Sequence, residues 1–351
     1  MGFEDNIRKV TPYTPGEQPR NKVIKLNTNE CPYSPSPKVI GAMQDFDWER
    51  LRLYPDPAMT EFTESLAKHY GVKPSQVFAG VGSDDVLSMC FLTFFAGEKP
   101  VLFPDITYSF YDVWAGVYRI PYKEKKLDDE FRIVAADYYE QNGGVVIANP
   151  NAPTGRGESL ELIEDILEHN KDSVVIVDEA YIDFGAETAL PLINKYNNLV
   201  VVRTMSKSRA LAGMRLGYCF GNEKLIKYLN DVKYSVNSYT LNMPSIAVGK
   251  AAIEDKEYFD EIVGKVKATR EWTAKEFTSL GFTYSSSDTN FIFAKPPEGY
   301  SGEYVFEKLK EQGIYVRHFN KERITDYLRI TIGTDEEMNI LFSALREICD
   351  V

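Results

Sequence analysis

Lys207 sits in a polar turn within VVVRTMSKSRALAGMRLGY (residues 200–218), flanked by Ser206 and Ser208, with Thr204 upstream and Arg215 downstream. Most lone lysines are solvated surface charges. One held at a strand end beside hydroxyls and a guanidinium can instead serve as a nucleophilic amine next to an anion site. Asp178 closes another apolar run, and Tyr181 follows it in the segment DEAY. A carboxylate there either caps a turn or pairs with a buried cation; the phenol either packs in the core or bonds a ligand oxygen. GVGSDD (80–85) sets glycines, Ser83 as a helix cap and Asp84 before an apolar helical segment at 86–95. Free N–H groups at such a helix start can receive a phosphate. The segment is not a dinucleotide fingerprint, because Asp85 holds the third-glycine position, and it lacks the Lys-Ser/Thr of a P-loop.

Together these groups match the needs of a pyridoxal phosphate enzyme. An aldehyde cofactor requires an amine for a Schiff base, supplied by Lys207. An ordinary lysine, with pKa about 10.4, costs roughly 4.6 kcal/mol to deprotonate at pH 7, and a nearby guanidinium and partial desolvation offset that. A pyridine nitrogen that must stay protonated requires a buried carboxylate, for which Asp178 is placed. The phosphate requires Arg215, the hydroxyls and a helix start, at roughly 1.5–3 kcal/mol per charge-assisted bond.

The elements that must position these residues follow one rhythm. Short β-rich runs at 77–81, 101–103, 145–148, 174–177 and 199–202 each end in a polar loop, and helical patterns follow. Runs apolar on consecutive residues suit strands covered on both faces of a parallel sheet. Leu160, Ile163 and Leu167 mark one packed face of an intervening helix. The pattern predicts an α/β architecture whose loops gather at the strand C-termini, the ligand-binding edge of such sheets. NPNAPTG (149–155) is one of those loops, a proline-locked polar turn. Tyr54 in LYPDP and Tyr108 after the second run are aromatic candidates. Prolines at 12, 15 and 19 make residues 1–30 an irregular arm that docks on the body. After 244 the pattern shifts to a long helix at 256–280, strands at 282–284, 291–294, 314–317 and 328–332, and helices at 303–311 and 336–348. This predicts a large domain at 31–244 with a mostly parallel central sheet between helices. A smaller α+β domain at 245–351 takes in part of the arm.

Composition narrows the function classes. A net charge of −12 over 351 residues argues against nucleic acid and anionic membrane surfaces. No apolar run approaches a membrane span, and MGFEDNIRKV lacks a signal-peptide core. The cysteines (Cys31, Cys90, Cys219, Cys349) form no CxxC, which suits a reduced, cytoplasmic protein. His69, His169 and His318 show no metal spacing, so no metal is expected.

The chain resembles the fold-type I aminotransferases of the class II family, most closely the branch that acts on histidinol phosphate. The resemblance spans nearly the whole chain: LNTNECPYSPSP, RLYPDP, GVGSDD, DITYSFY, NPNAPTG, VDEAYIDF, RTMSKSRALAGMRLGY, YVRHF and LRITIGT. It implies that Lys207 carries the cofactor and shuttles the proton, that Asp178 pairs with its pyridinium, and that Tyr181 bonds its phenolic oxygen. Tyr108 would stack on the ring, while Ser83, Asp84, Thr204, Ser206 and Arg215 hold the phosphate. Tyr54 would reach the phosphate of another subunit, implying a homodimer. Arg329 would bind the carboxylate of glutamate or 2-oxoglutarate, Arg317 with Tyr13 the phosphate of histidinol phosphate, and Asn29 would also face substrate. The chain departs from the family pattern at Ala152, where an asparagine is expected; either Asn151 substitutes or Tyr181 acts with less help. Cys31-Pro32-Tyr33 also departs from Asn-Pro-Tyr. An aromatic amino-acid aminotransferase, a threonine-phosphate decarboxylase and a non-catalytic binding protein are the rival readings; a binding module gains little from a reactive amine.

Overall fold

The computed structural model describes residues 2–350. After the arm come strand β1 (Ile24–Lys25) and helices α1 (Pro37–Gln44) and α2 (Thr60–Tyr70). Ser36 caps α1 by accepting the Val39 N–H, with Pro37 in the first turn, where its missing N–H leaves no bond unmade. The chain continues through β2 (Val77–Val81), α3 (Gly82–Phe94), β3 (Val101–Pro104), α4 (Tyr111–Tyr118), β4 (Tyr122–Lys125) and β5 (Gly144–Ala148). Then follow α5 (Leu160–His169), β6 (Val175–Asp178), β7 (Leu199–Thr204) and β8 (Leu216–Gly221). These strands form a seven-stranded sheet in the order β2-β8-β7-β6-β5-β3-β4. All neighbours pair in parallel except β8, which runs against both β2 and β7.

The consecutive apolar runs have the expected cause. Leu199 and Val201 join a core with Phe62 and Leu66 of α2 and Ile163 and Ile166 of α5. Val200 and Val202 point the other way, into a core with Val86 and Phe91 of α3 and Leu229 of helix α6 (Glu223–Val236). Both faces are buried, at roughly 1.5–3 kcal/mol per large aliphatic side chain. Two strands of this sheet escaped the sequence reading. β4 is the exposed edge strand YKEK, whose charges discourage pairing with another chain and hide the apolar signal. β8 carries Gly217 and Gly221, which weaken its strand signature.

Helix α7 (Met243–Glu254) packs Val248, Ala252 and Ile253 into the first core, so that core extends past residue 244. Beyond it lie α8 (Lys256–Ser279), β9 (Thr283–Tyr284), β10 (Phe291–Lys295), α9 (Gly302–Glu311), β11 (Ile314–Tyr315), β12 (Arg317–His318), β13 (Leu328–Thr331) and α10 (Asp335–Ile348). A four-stranded antiparallel sheet runs β12-β13-β10-β9, and β1 pairs in parallel with β11. The expected strand at 314–317 is therefore two short strands in different sheets. A third core unites Val266, Phe277, Ile292, Leu309 and Leu341 with Leu26, Tyr181 and Phe184. Leu26 and Tyr181 thus bring the LNTNE and DEAY segments against the same hydrophobic mass.

Candidate active site

A cavity of about 370 Å³ opens at the C-terminal edge of the large sheet, lined by Ser83, Asp84, Tyr108, Asp178, Tyr181, Thr204, Ser206, Lys207 and Arg215. These residues come from four places that meet there, each at or after the C-terminal end of a strand: β2, β3, β6 and β7.

The turn carrying Lys207 is fixed from several sides. The Met205 N–H bonds the Leu216 carbonyl at 3.0 Å and the Leu211 N–H bonds the Met205 carbonyl at 3.1 Å. The Ser206 N–H donates to Thr204 Oγ1 at 3.1 Å, and Ser208 Oγ donates to Asp183. Among the described residues Lys207 Nζ donates only to the Thr28 carbonyl, at 3.1 Å, and it lies 5.6 Å from the centre of the Tyr181 ring. It faces the cavity without a carboxylate within salt-bridge distance among the described residues.

Asp178 and Glu179 are neighbours with opposite circumstances. Glu179 is fully buried but answered by Arg203 at 2.8 Å. Asp178 is equally buried and has no cationic partner among the described residues. Its Oδ2 accepts the Tyr111 hydroxyl at 2.9 Å and its Oδ1 the Ala180 N–H at 3.2 Å. Burial pushes its pKa up to about 6, against the pull of those two hydrogen bonds. Tyr111 was not among the residues expected from sequence. The available signal was its position three residues after Tyr108 in DITYSFY. Tyr111→Phe is expected to move the Asp178 titration upward by roughly one unit, because a donor to the charged form is lost. Carboxyl ¹³C NMR titration against wild type checks this, and an unmoved midpoint refutes the tie.

The residues expected to hold a phosphate converge on one wall, with one change. α3 starts at Gly82, so Ser83 is not the cap but lies in the first turn with Asp84, their N–H groups free of intrahelical partners. Asp85 Oδ2 accepts the Val81 N–H at 2.9 Å. Gly82 has φ +82, and a Cβ there would come within 2.6 Å of the Arg215 guanidinium. A Cβ on Gly217 would lie 2.3 Å from the Ser83 nitrogen. The two glycines are thus what lets β8, α3 and Arg215 close together. Arg215 Nη2 reaches Asp84 Oδ2 at 3.2 Å, and the Tyr108 hydroxyl donates to Asp84 Oδ1 at 2.7 Å. The Asp84 side chain, not only its backbone, therefore organises this wall.

Other expected residues lie elsewhere. Asn151 turns away from the cavity: its Nδ2 donates to the Ile106 carbonyl at 2.9 Å and to Thr154 Oγ1 at 3.0 Å, and its Oδ1 accepts from Thr107 at 2.7 Å. Ala152 lines the cavity instead. Tyr54 is 78% exposed, outside this cavity, stacked on Tyr239 at 4.5 Å. Tyr13 stacks on Phe110 at 4.2 Å and lines a second cavity of about 830 Å³ with Arg317. Asn29 lies behind Tyr181, donating to its hydroxyl oxygen at 2.9 Å. Glu30 and Thr28, overlooked in the sequence, also line the first cavity.

Arg317 and Arg329 stand directly opposite one another on β12 and β13. Like charges in that register repel. Arg329 is half-buried between Phe291 and Phe319, at 5.4 and 5.6 Å; Nη2 donates to the Asn27 carbonyl at 2.9 Å, while Nε is buried without a partner among the described residues. Burial works against its charge, and Arg317 adds to that. Neither arginine has a carboxylate within 4.0 Å among the described residues, so the pair is chemically suited to an incoming anion.

The aminotransferase class I and II family profile matches residues 21–345. A histidinol-phosphate aminotransferase of Clostridium beijerinckii is 49% identical over 347 residues, 99% of this chain and 97% of that protein. One from a Marinomonas species is 54% identical over 350 residues, 99% of each. Among solved structures, histidinol-phosphate aminotransferase from Sinorhizobium meliloti, in complex with pyridoxal-5'-phosphate, superposes with TM-score 0.85 at 24% identity, covering 94% of this chain and 92% of that one. The Clostridium acetobutylicum enzyme gives 0.86 at 22% identity, covering 93% and 99%. The structural likeness establishes the fold.

Proposed function

The chain belongs to the class I and II aminotransferases, among the histidinol-phosphate aminotransferases, and from that membership we propose its reaction. It transfers the amino group of L-histidinol phosphate to 2-oxoglutarate, giving imidazole acetol phosphate and glutamate, in histidine biosynthesis. Its cofactor is pyridoxal 5'-phosphate. The observation that carries this reading is that one cavity presents a reactive amine, Lys207, and a buried carboxylate without a cation, Asp178.

The residues fit that cofactor. A pyridinium nitrogen supplies the charge that Asp178 lacks, and the cradle made by Gly82, Gly217, Arg215 and the first turn of α3 suits a phosphate. Thr204 and Ser206 add two hydroxyls. When bound, the cofactor supplies an aldehyde that condenses with amines and a protonated ring that draws electrons from the substrate carbon. Lys207 Nζ would anchor it and would then take the substrate's α-proton as base and deliver it as acid to the far end of the 1,3-transfer. Tyr108 would stack on the ring, Tyr181 would bond its phenolic oxygen, and Asp178 would keep the ring nitrogen protonated. One site serves the amino donor and then the oxo acceptor, so turnover is ping-pong.

Substrate anions are assigned to the opposed arginines: the carboxylate of glutamate or 2-oxoglutarate to Arg329, the substrate phosphate to Arg317 with Tyr13. What supports this is their mutual repulsion and missing counter-charges. Arg317→Ala is expected to raise KM for histidinol phosphate by about 10–100-fold, the loss of one charge-assisted contact of roughly 1.5–3 kcal/mol, with a smaller change for glutamate. Equal losses for both substrates would remove Arg317 from the phosphate site.

The working unit is a homodimer in the cytoplasm. Tyr54, Trp48, Leu51, Leu53 and Ile40 are large exposed apolar side chains, and Ile40 and Trp48 line an apolar groove with Met43 and Met214. A second copy seated on that face would receive Tyr54 near its phosphate site. The four cysteines are unpaired, which suits a reducing compartment, and no described helix is long and apolar enough to cross a membrane. The reaction is tested by comparing histidinol phosphate with phenylalanine as donor, 2-oxoglutarate being the acceptor. A higher kcat/KM for phenylalanine would overturn the assignment.

A further inference from the structure

Asn29 is only 1% exposed and does not line the cavity, yet it holds an uncommon backbone conformation, φ 55, for a residue other than glycine. Its position is fixed by three hydrogen bonds besides the one to Tyr181. Its N–H donates to Thr331 Oγ1 at 3.0 Å, its carbonyl accepts from Asn290 Nδ2 at 3.0 Å, and its Oδ1 accepts the Thr331 hydroxyl proton at 3.0 Å. The orientation of the amide follows from the Thr331 hydroxyl proton, which has no other acceptor among the described residues and would be stranded if the amide were reversed. With Oδ1 facing the Thr331 donor, the end that meets Tyr181 is Nδ2, an obligate donor. The Tyr181 oxygen must therefore accept from Asn29, and its own proton is left to be donated elsewhere. Tyr181 lines the cavity, and no protein acceptor for that proton is present among the described residues. The neighbouring wall offers Pro150 and Ala152, whose side chains cannot donate, and Asn151 is committed elsewhere.

We propose that Asn29 is a positioning residue that fixes Tyr181 as a hydrogen-bond donor toward the ring oxygen of the cofactor, with Thr331 of β13 setting the direction of the amide. This rests on the cofactor reading above and replaces the expectation that Asn29 meets substrate. The chemical consequence is polarity. A donor to the ring oxygen competes for its negative charge with the proton whose loss changes the visible band. It therefore lowers the pH midpoint of that change, and a weaker donor raises it.

The test is a spectrophotometric pH titration of the holoenzyme. Asn29→Gly is the first variant, because glycine accepts φ 55 without strain, so the side chain is removed and the backbone spared. Its midpoint is expected to rise by roughly half to one pH unit, the effect of weakening one hydrogen bond. Asn29→Asp, nearly isosteric but accepting only, draws the Tyr181 proton toward itself and is expected to raise the midpoint at least as far. Tyr181→Phe should raise it further, and adding Asn29→Gly to that background should add nothing, since Asn29 acts through the hydroxyl. An unmoved midpoint in Asn29→Gly, or an equal shift with and without the hydroxyl, would overturn the inference. Wild-type protein that develops no titrating visible band with pyridoxal phosphate would overturn the cofactor reading as well.

Discussion

Lys207→Ala is expected to lower kcat by about 10⁴-fold or more, at least about 5 kcal/mol of barrier, because the anchoring amine and the proton shuttle are lost together. The fold should survive. Lys207 Nζ has one hydrogen-bond partner among the described residues, the Thr28 carbonyl, while the turn is held by Thr204, Ser206, Ser208 and the backbone bonds of Met205 and Leu211. Unchanged circular dichroism with activity near background is the expected pair of observations. Borohydride reduction of wild-type holoenzyme should attach the cofactor to the peptide containing Lys207, and label on another lysine would refute the assignment. Small primary amines supplied to the variant should restore part of the rate, since they replace the missing base without rebuilding any contact of the fold.

Asp178→Asn separates stability from activity. Burial raises the folded-state pKa of this carboxyl to about 6, above its ordinary value of 3.8. Between those values the folded chain binds more protons than the unfolded one, so stability of the cofactor-free protein falls as pH rises through that window. Above about pH 6 the full penalty applies, about 3 kcal/mol. An amide carries no such penalty, and the Tyr111 hydroxyl can reverse to accept from it. The variant without cofactor should therefore melt higher than wild type at pH 7 and no higher near pH 4. Its kcat should nonetheless fall by about 10²–10⁴-fold, because a neutral amide cannot hold the ring nitrogen protonated. Equal melting temperatures at pH 7, or near-normal turnover, would contradict the picture of Asp178 as a carboxylate kept without a counter-ion until the cofactor supplies one.

Both variants concern residues readable in the chain itself. Lys207 with Thr204, Ser206 and Arg215, Asp178 with Tyr181, and the glycine-led start of α3 are each short contiguous segments. A parallel sheet brings its strand ends to one edge, so local patterns at those ends predict both the architecture and the covalent chemistry. The strands of the large sheet were legible for a related reason: two-sided burial demands consecutive apolar residues, as at Leu199–Thr204. β4 and β8 were not legible, one being an edge strand and the other interrupted by glycines needed for close approach.

What the tertiary structure alone decided is how those residues are tuned. Tyr111 meets Asp178 across 67 residues, Asn29 meets Tyr181 across 152, and Thr331 meets Asn29 across 302. Arg317 faces Arg329 only because β12 and β13 pair in one register. The choice that Ala152 leaves open, between Asn151 and an unaided Tyr181, meets a third arrangement: Asn151 is spent on Ile106, Thr107 and Thr154, and an amide from the arm stands behind the phenol. Residue type and spacing determined which groups this chain brings to chemistry. Strand order and register, set by burial of the whole sheet rather than by any single segment, decided which proton each group holds and toward what it points.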